Sequence, residues 1–146
     1  MGQIVIPIGT FAYVDSAVLI YKIERCQPFM SVAAPLWEAL YRETIEICTS
    51  ELTYLEVMVK PVKLKDSALI TCYRAAMFNA LGFYLIPITW PIWDTAITLR
   101  AVYNLKTPDA IHAATALLNH CGLFVTNDPI FKRVPGLNAV VLTDLL

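Results

Sequence analysis

Thr107-Pro108-Asp109-Ala110-Ile111-His112-Ala113-Ala114-Thr115-Ala116 reads as a helix with a marked start. Thr107 offers a capping hydroxyl, Pro108 suits the first helical position, and Asp109 puts an acid in the first turn. Ala110, Ala113, Ala114 and Ala116 are small enough to let that helix lie close against a sheet. Gly122 then breaks the pattern, and Leu123-Phe124-Val125-Thr126 forms an apolar strand that closes at the polar pair Asn127-Asp128. A helix feeding a strand whose end is acidic is half of a βαβ unit.

The same grammar recurs upstream. Phe11-Ala12-Tyr13-Val14 is a strand closing at Asp15-Ser16, where Ser16 is expected to cap a helix from Ala17 to about Glu24. A second helix is expected from Pro35 to about Glu43, then a strand over Ile45–Thr49, with Ser50 capping a helix through Val57. Leu64 to Ala80 carries the clearest helical period, with Leu69, Tyr73, Ala76, Met77 and Ala80 on one face. Phe83 to Ile88 reads as a strand buried on both faces, Pro91 opens a helix to about Tyr103, and a last strand spans about Ala139 to Leu142. Alternating strands and helices without repeats or linkers predict one α/β domain over residues 1–146, with a parallel sheet of about five strands. Residues 1–10 precede the first strand as an extension with no assigned role.

Composition narrows the function classes. Of 146 residues, 58% are hydrophobic and 16% charged, against roughly 45–50% and 25% in ordinary domains. Disorder is excluded. Eleven Lys and Arg against twelve Asp and Glu leave a net charge of −1, so no global field attracts a polyanion. Cys26, Cys48, Cys72 and Cys121 form no Cys-x-x-Cys pair, which argues against a zinc ribbon and suits free thiols in a reducing cytoplasm. The N-terminal residues make a poor secretory signal. Ala75–Trp93 lacks charge, but Asn79, Gly82, Pro87, Thr89 and Pro91 interrupt it, so a membrane-spanning helix is not expected.

Asp15 and Asp128 each fall just past the end of an apolar strand, Asp109 opens the helix before the last of these strands, and Glu56 lies on the helix after the second. Ligands of open α/β sheets bind outside the carboxyl ends of strands. Carboxylates gathered there repel one another unless a cation neutralises them, and hard divalent ions prefer oxygen ligands.

Four strings carry a family likeness: Tyr13-Val14-Asp15-Ser16, Thr49 to Val57 (Thr-Ser-Glu-Leu-Thr-Tyr-Leu-Glu-Val), Leu105 to Ala116, and Phe124-Val125-Thr126-Asn127-Asp128. In that order and spacing they resemble the motifs of PIN domains, and among those the VapC-type toxin ribonucleases. The resemblance runs from about Phe11 to Leu142 and implies a three-layer α/β fold with an acidic pocket at the strand ends. It further implies a metal-dependent endoribonuclease that uses Mg²⁺ or Mn²⁺ to cleave RNA phosphodiesters, acting as the toxin of a toxin–antitoxin pair. By motif, Asp15 and Asp109 bind metal, Glu56 and Asp128 complete the pocket, and Ser16, Thr126 and Asn127 are supporting polar groups. The family also implies a cognate antitoxin and a homodimer. The alternatives are a PIN nuclease of RNA processing and a non-catalytic PIN binding module.

Other residues are weighed against ordinary structural roles. Glu56 is preferred to Glu51 by motif spacing, and Asp94 has little motif support. His112 is read as a satisfied core histidine, and Arg100 as a partner in a structural salt bridge. Lys60, Lys63 and Lys65 form a solvated face, whereas Lys132-Arg133 suits either that role or an RNA backbone. Trp37, Trp90 and Trp93 are expected in the core or an interface. Leu19, Ile20, Tyr21 and Ile23 exceed what one buried stripe needs, which suits a docking surface for a second copy or an antitoxin.

Overall fold

Five strands line up in one sheet with the order β3-β2-β1-β4-β5, every neighbouring pair parallel. They are β1 (Phe11–Val14), β2 (Glu46–Ser50), β3 (Phe83–Ile86), β4 (Leu123–Thr126) and β5 (Ala139–Val141). The structure, a computed structural model, describes residues 2–146. Six helices connect the strands: α1 (Ser16–Ile23), α2 (Phe29–Tyr41), α3 (Glu51–Lys63), α4 (Ser67–Phe78), α5 (Trp90–Tyr103) and α6 (Thr107–Leu118). Short 3₁₀ turns follow at Pro129–Arg133 and Leu142–Leu145.

Side chains alternate across the sheet with the period of two that a strand imposes. Ala12, Val14, Ile47, Leu123 and Val125 face the core built with α1 to α4, whereas Tyr13, Cys48 and Phe124 face α5 and α6. Both faces are therefore covered, giving the expected three layers and explaining why the central strands lack a polar face. On the second face Phe124 stacks on Tyr13 with ring centroids 5.0 Å apart and meets Phe131 at 4.6 Å. No helix among the described residues is long and apolar enough to cross a membrane.

Several boundaries differ from those expected. The segment over Leu64–Ala80 is not one helix: α3 runs to Lys63, Lys65 adopts a left-handed φ of 52°, and Asp66 caps α4 by accepting from Leu69 N at 3.1 Å. A residue that leaves helical geometry beside a good cap starts a new helix whatever the hydrophobic period. Helix α2 begins at Phe29 and carries Pro35 within it rather than at its start. Strand β3 stops at Ile86, before Pro87, and is an edge strand with Tyr84 46% exposed. The expectation of burial on both faces fails there because β3 is paired on one side only, at the sheet's edge, and its residues after Phe83 are incompletely covered. At the other terminus of the chain's path, Ile4 is buried and Gly2 N donates to Leu145 O at 2.7 Å, so the early extension packs against the C-terminal turn.

Candidate active site

The order of the strands makes the cleft. From β1 the chain builds outward through β2 to β3, then returns to place β4 on the other side of β1. Loops leaving β1 and β4 therefore diverge to opposite faces, opening a crevice between their carboxyl ends. A cleft of about 540 Å³ lies there, lined by Asp15, Glu56, Asp109, His112, Asn127 and Asp128 among others. A second cleft, of about 410 Å³, sits at the opposite ends of β1 and β2 and contains none of the four expected acids.

Asp15 is the buried member, at 7% exposure. It, and not Ser16, is the N-cap of α1: its carboxylate accepts from Val18 N at 3.2 Å, and Ser16 is the first helical residue. The expected roles of the two residues are thus exchanged, because the backbone at Asp15 is still extended when the first turn begins. The other carboxylate oxygen accepts from Thr126 Oγ1 at 2.5 Å, a bond that ties β1 to β4 at the mouth of the crevice. Thr126 in turn accepts from Asp128 N at 3.0 Å. Burial pushes the Asp15 carboxyl above its ordinary range, opposed by Thr126, His112 and the Val18 N–H.

Glu56 reaches the cleft from the second turn of α3, and its hydrogen bonds all fall on Oε1. Ser16 Oγ donates to that oxygen at 2.7 Å, and His112 Nε2 lies 2.7 Å from it. Desolvation raises the Glu56 carboxyl, but these two hydrogen bonds and the attraction of His112 outweigh it and hold the group below its usual range. Asp109, half-buried in the first turn of α6, moves the other way: burial raises it, and the neighbouring Asp128 charge adds to the effect. Asp128 is exposed and uses Oδ1 to accept from Ile130 N at 2.9 Å, capping the turn at Pro129–Arg133. Asn127 links the cleft to both ends of the chain, donating to Tyr21 Oη at 3.2 Å and accepting from Thr143 N at 2.9 Å.

All seven residues proposed by motif lie in or beside this cleft, with Thr126 buried directly behind Asp15. The set is all oxygen donors, and neighbouring carboxylates add to the upward shifts of Asp15 and Asp109, as expected of a place made for a hard cation. Among the described residues, however, no three His, Cys, Asp or Glu side chains form a ready-made cage. The donor set fits an ion held by one or two carboxylates and completed by water and phosphate, as Mg²⁺ typically is.

Two residues belong to the site that the sequence leaves in the core. His112 is buried and satisfied as expected, at 3% exposure, but its partners are Glu56 and the Tyr13 hydroxyl, 2.5 Å from Nδ1. Its position three residues after Asp109, on the same side of α6, was the available signal. Tyr13 carries no such signal, since only strand register brings it to α6.

The remaining candidates lie outside the cleft. Glu51 Oε1 accepts from Ile88 N at 3.1 Å, and Asp94 is exposed on α5. Arg100 makes no salt bridge among the described residues; it donates to Leu105 O at 3.2 Å and Thr107 Oγ1 at 2.8 Å, holding the α5–α6 corner. Lys60 pairs with Glu24 at 2.9 Å, and Lys132 pairs with Asp144. Trp37 is core, whereas Trp90 is 79% exposed. Leu19 is buried, and Ile20, Tyr21 and Ile23 are half-buried against the core. Cys48 and Cys121 bring their sulfurs within 3.4 Å as free thiols, and Cys72 is exposed.

The model of the PIN domain family matches residues 12–137, from β1 to the turn before β5. The chain belongs to the PIN domain family. Among solved structures, this PIN domain is similar to a chain of a toxin–antitoxin complex from Klebsiella pneumoniae, with 26% identity and a TM-score of 0.65, covering 90% of this chain and 97% of that one. It also shares its fold with a chain of VapBC2 from Rickettsia felis bound to a promoter DNA fragment (15% identity, TM-score 0.69, 90% and 98% covered). A chain of FitAcB from Neisseria gonorrhoeae gives 20% identity and a TM-score of 0.69, with 92% and 99% covered. No curated protein sequence matches the PIN domain at a significant level.

Proposed function

We propose that this PIN domain is a metal-dependent endoribonuclease and the toxin of a toxin–antitoxin pair. The observation that carries the reading is the convergence of Asp15, Glu56, Asp109 and Asp128 on one cleft at the sheet's crossover point. Asp15 and Asp109 would hold Mg²⁺ or Mn²⁺, with Asp128 and Glu56 completing the pocket. When bound, the ion supplies Lewis acidity and offsets the negative charge of a phosphodiester. Asp15 contributes a carboxylate already oriented by Val18 N and Thr126, so little freedom is lost on ligation. Glu56, held on Oε1 and kept ionised by the hydrogen bonds there, takes a proton from the attacking water at Oε2. Thr126, buried behind Asp15, and Ser16, in the lining of the cleft, each donate to one of these two carboxylates and orient it.

The relative from Klebsiella pneumoniae comes from a toxin–antitoxin complex, which supports an antitoxin as partner. Exposed Trp90, Ile97 and Val102 on α5 support self-association as well. The decisive experiment incubates purified protein with structured and unstructured RNA, with EDTA, Mg²⁺ or Mn²⁺, beside Asp15→Asn and Asp109→Asn. Metal-dependent cutting lost in both variants is expected. Equal cutting by the folded variants, with contaminating nuclease excluded, refutes the assignment.

A further inference from the structure

The hydrogen bonds behind Glu56 have a direction. Ser50 N donates to the Tyr13 hydroxyl at 3.1 Å, so that oxygen is an acceptor on one side. Its own proton needs another partner, because an unpaired hydroxyl in a fully buried place is costly. The nearby Thr49 hydroxyl is already engaged, donating to Val14 O at 2.7 Å and lying 2.6 Å from Thr53 Oγ1. What remains is His112 Nδ1, at 2.5 Å. A phenolic hydroxyl carries one proton to donate. An Nδ1 that accepts leaves the imidazole hydrogen on Nε2, and Nε2 faces Glu56 Oε1 at 2.7 Å.

We infer that Tyr13 and His112 are positioning residues, a buried relay that fixes the His112 tautomer, anchors Glu56 through Oε1 alone and leaves Oε2 free for water. Ser16 Oγ donates to the same Oε1, so both protein donors fall on one oxygen. Among the described residues no donor reaches Oε2. A glutamate side chain 31% exposed at the end of three torsions would otherwise sample several rotamers. His112 is itself held on the far side by Tyr13, whose ring is clamped between His112 at 5.8 Å and Phe124 at 5.0 Å. The rigidity of the sheet is thereby passed to a carboxylate that sits on a helix surface. This inference rests on the reading of Glu56 as the group that accepts the water's proton.

The test joins a spectroscopic readout to a kinetic one. In metal-free protein at a pH where the ring is neutral, nitrogen NMR of His112 is expected to show the hydrogen on Nε2 and none on Nδ1. The chain has two histidines, and His112→Gln identifies the signal. Tyr13→Phe removes the donor to Nδ1 and is expected to shift the Nδ1 resonance, while Glu56 keeps the hydrogen on Nε2 and the melting curve stays cooperative. His112→Ala should lower kcat for RNA roughly 10–100-fold, the usual range for removing an orienting partner of a site ligand, with KM little changed. His112→Gln, whose amide donates to Glu56 and accepts from Tyr13, should recover part of that loss. A merely structural histidine would move the melting temperature without this kcat pattern. Hydrogen on Nδ1 in the wild type, or wild-type kcat in folded His112→Ala, overturns the relay and leaves the nuclease reading standing. A wild type that cuts no RNA but shows the Nε2–H tautomer and the Tyr13-dependent Nδ1 shift overturns the nuclease reading, and with it the proposed role of the relay in handling water.

Discussion

Replacing Asp15 by asparagine should strengthen the fold while ending hydrolysis, and the gain should grow with pH. Asp15 is 7% exposed, and burial is the main reason its carboxyl lies above the ordinary range. A carboxyl raised in the folded state binds its proton more tightly there than in the unfolded chain. Its contribution to stability is therefore largest at acid pH, falls as pH rises from about 4 through the raised folded value, and is level above it. Asparagine cannot ionise, and it caps helices about as well as aspartate. The advantage of Asp15→Asn over wild type should thus be near zero at about pH 4 and increase with pH, by about 1.4 kcal/mol for each unit by which the native pKa is raised. Asp15→Ala is the control, since it too is neutral but loses the bond to Val18 N and strands the Thr126 hydroxyl. Asparagine keeps an oxygen for Val18 N but turns an amide donor toward the Thr126 hydroxyl, so alanine, which loses the cap, should lie about 1 kcal/mol below asparagine at every pH. Urea unfolding of the three proteins in EDTA across the acid-to-neutral range reads both quantities. An asparagine advantage that is flat or shrinks with pH refutes the burial argument. Equal stability of the two variants refutes the claim that residue 15 stabilises the start of α1 as its cap.

Three other outcomes follow from the geometry. Mg²⁺ or Mn²⁺ at a hundredfold excess over its Kd should stabilise the protein by about 2.7 kcal/mol in a thermal shift assay, and Asp109→Asn should remove most of that gain; an equal shift in the variant places the ion elsewhere. Glu24 accepts from Tyr73 Oη at 2.5 Å and from Lys60 at 2.9 Å, and although burial raises its carboxyl, these partners hold it below its usual range. Glu24→Gln should therefore cost about 1 kcal/mol at neutral pH, an effect present above the unfolded pKa and lost as pH falls through the folded one, so a pH-independent difference in urea midpoint refutes it. Gly82 has φ +78° and would bring a Cβ within 3.1 Å of Leu40 Cδ1, so Gly82→Ala should cost about 1–2 kcal/mol in thermal unfolding; an unchanged melting temperature counts against strain at that turn.

The architecture also explains why the acids of this cleft cost stability. At the crossover between β1 and β4 the loops part and leave a crevice beside the central strands, so Asp15 is buried where it joins the other acids. Asp15 then carries a desolvation cost that only a cation or a proton relieves, while Asp109 and Asp128 repel each other nearby. Hydrogen bonds from backbone and hydroxyl groups limit that cost without neutralising the charge.

Local chemistry alone specifies much of this protein. Apolar runs of four to five residues ending in Asp or Ser mark the strands, and capping residues mark the helices that follow, because these signals act within a few residues along the chain. The acids at Asp15, Glu56, Asp109 and Asp128 are legible for the same reason: each stands at a fixed offset from a strand end or helix start. The edge position of β3, the break at Lys65 and the exchange of roles between Asp15 and Ser16 are not legible, since each depends on backbone geometry or on what packs alongside. Tyr13 and His112 lie 99 residues apart, and each reads as ordinary core. Register between β1 and β2 and the docking of α6 across the sheet bring them together behind Glu56. Contacts across such separations are selected by burial of both sheet faces at once, a condition that no local stretch of the chain contains.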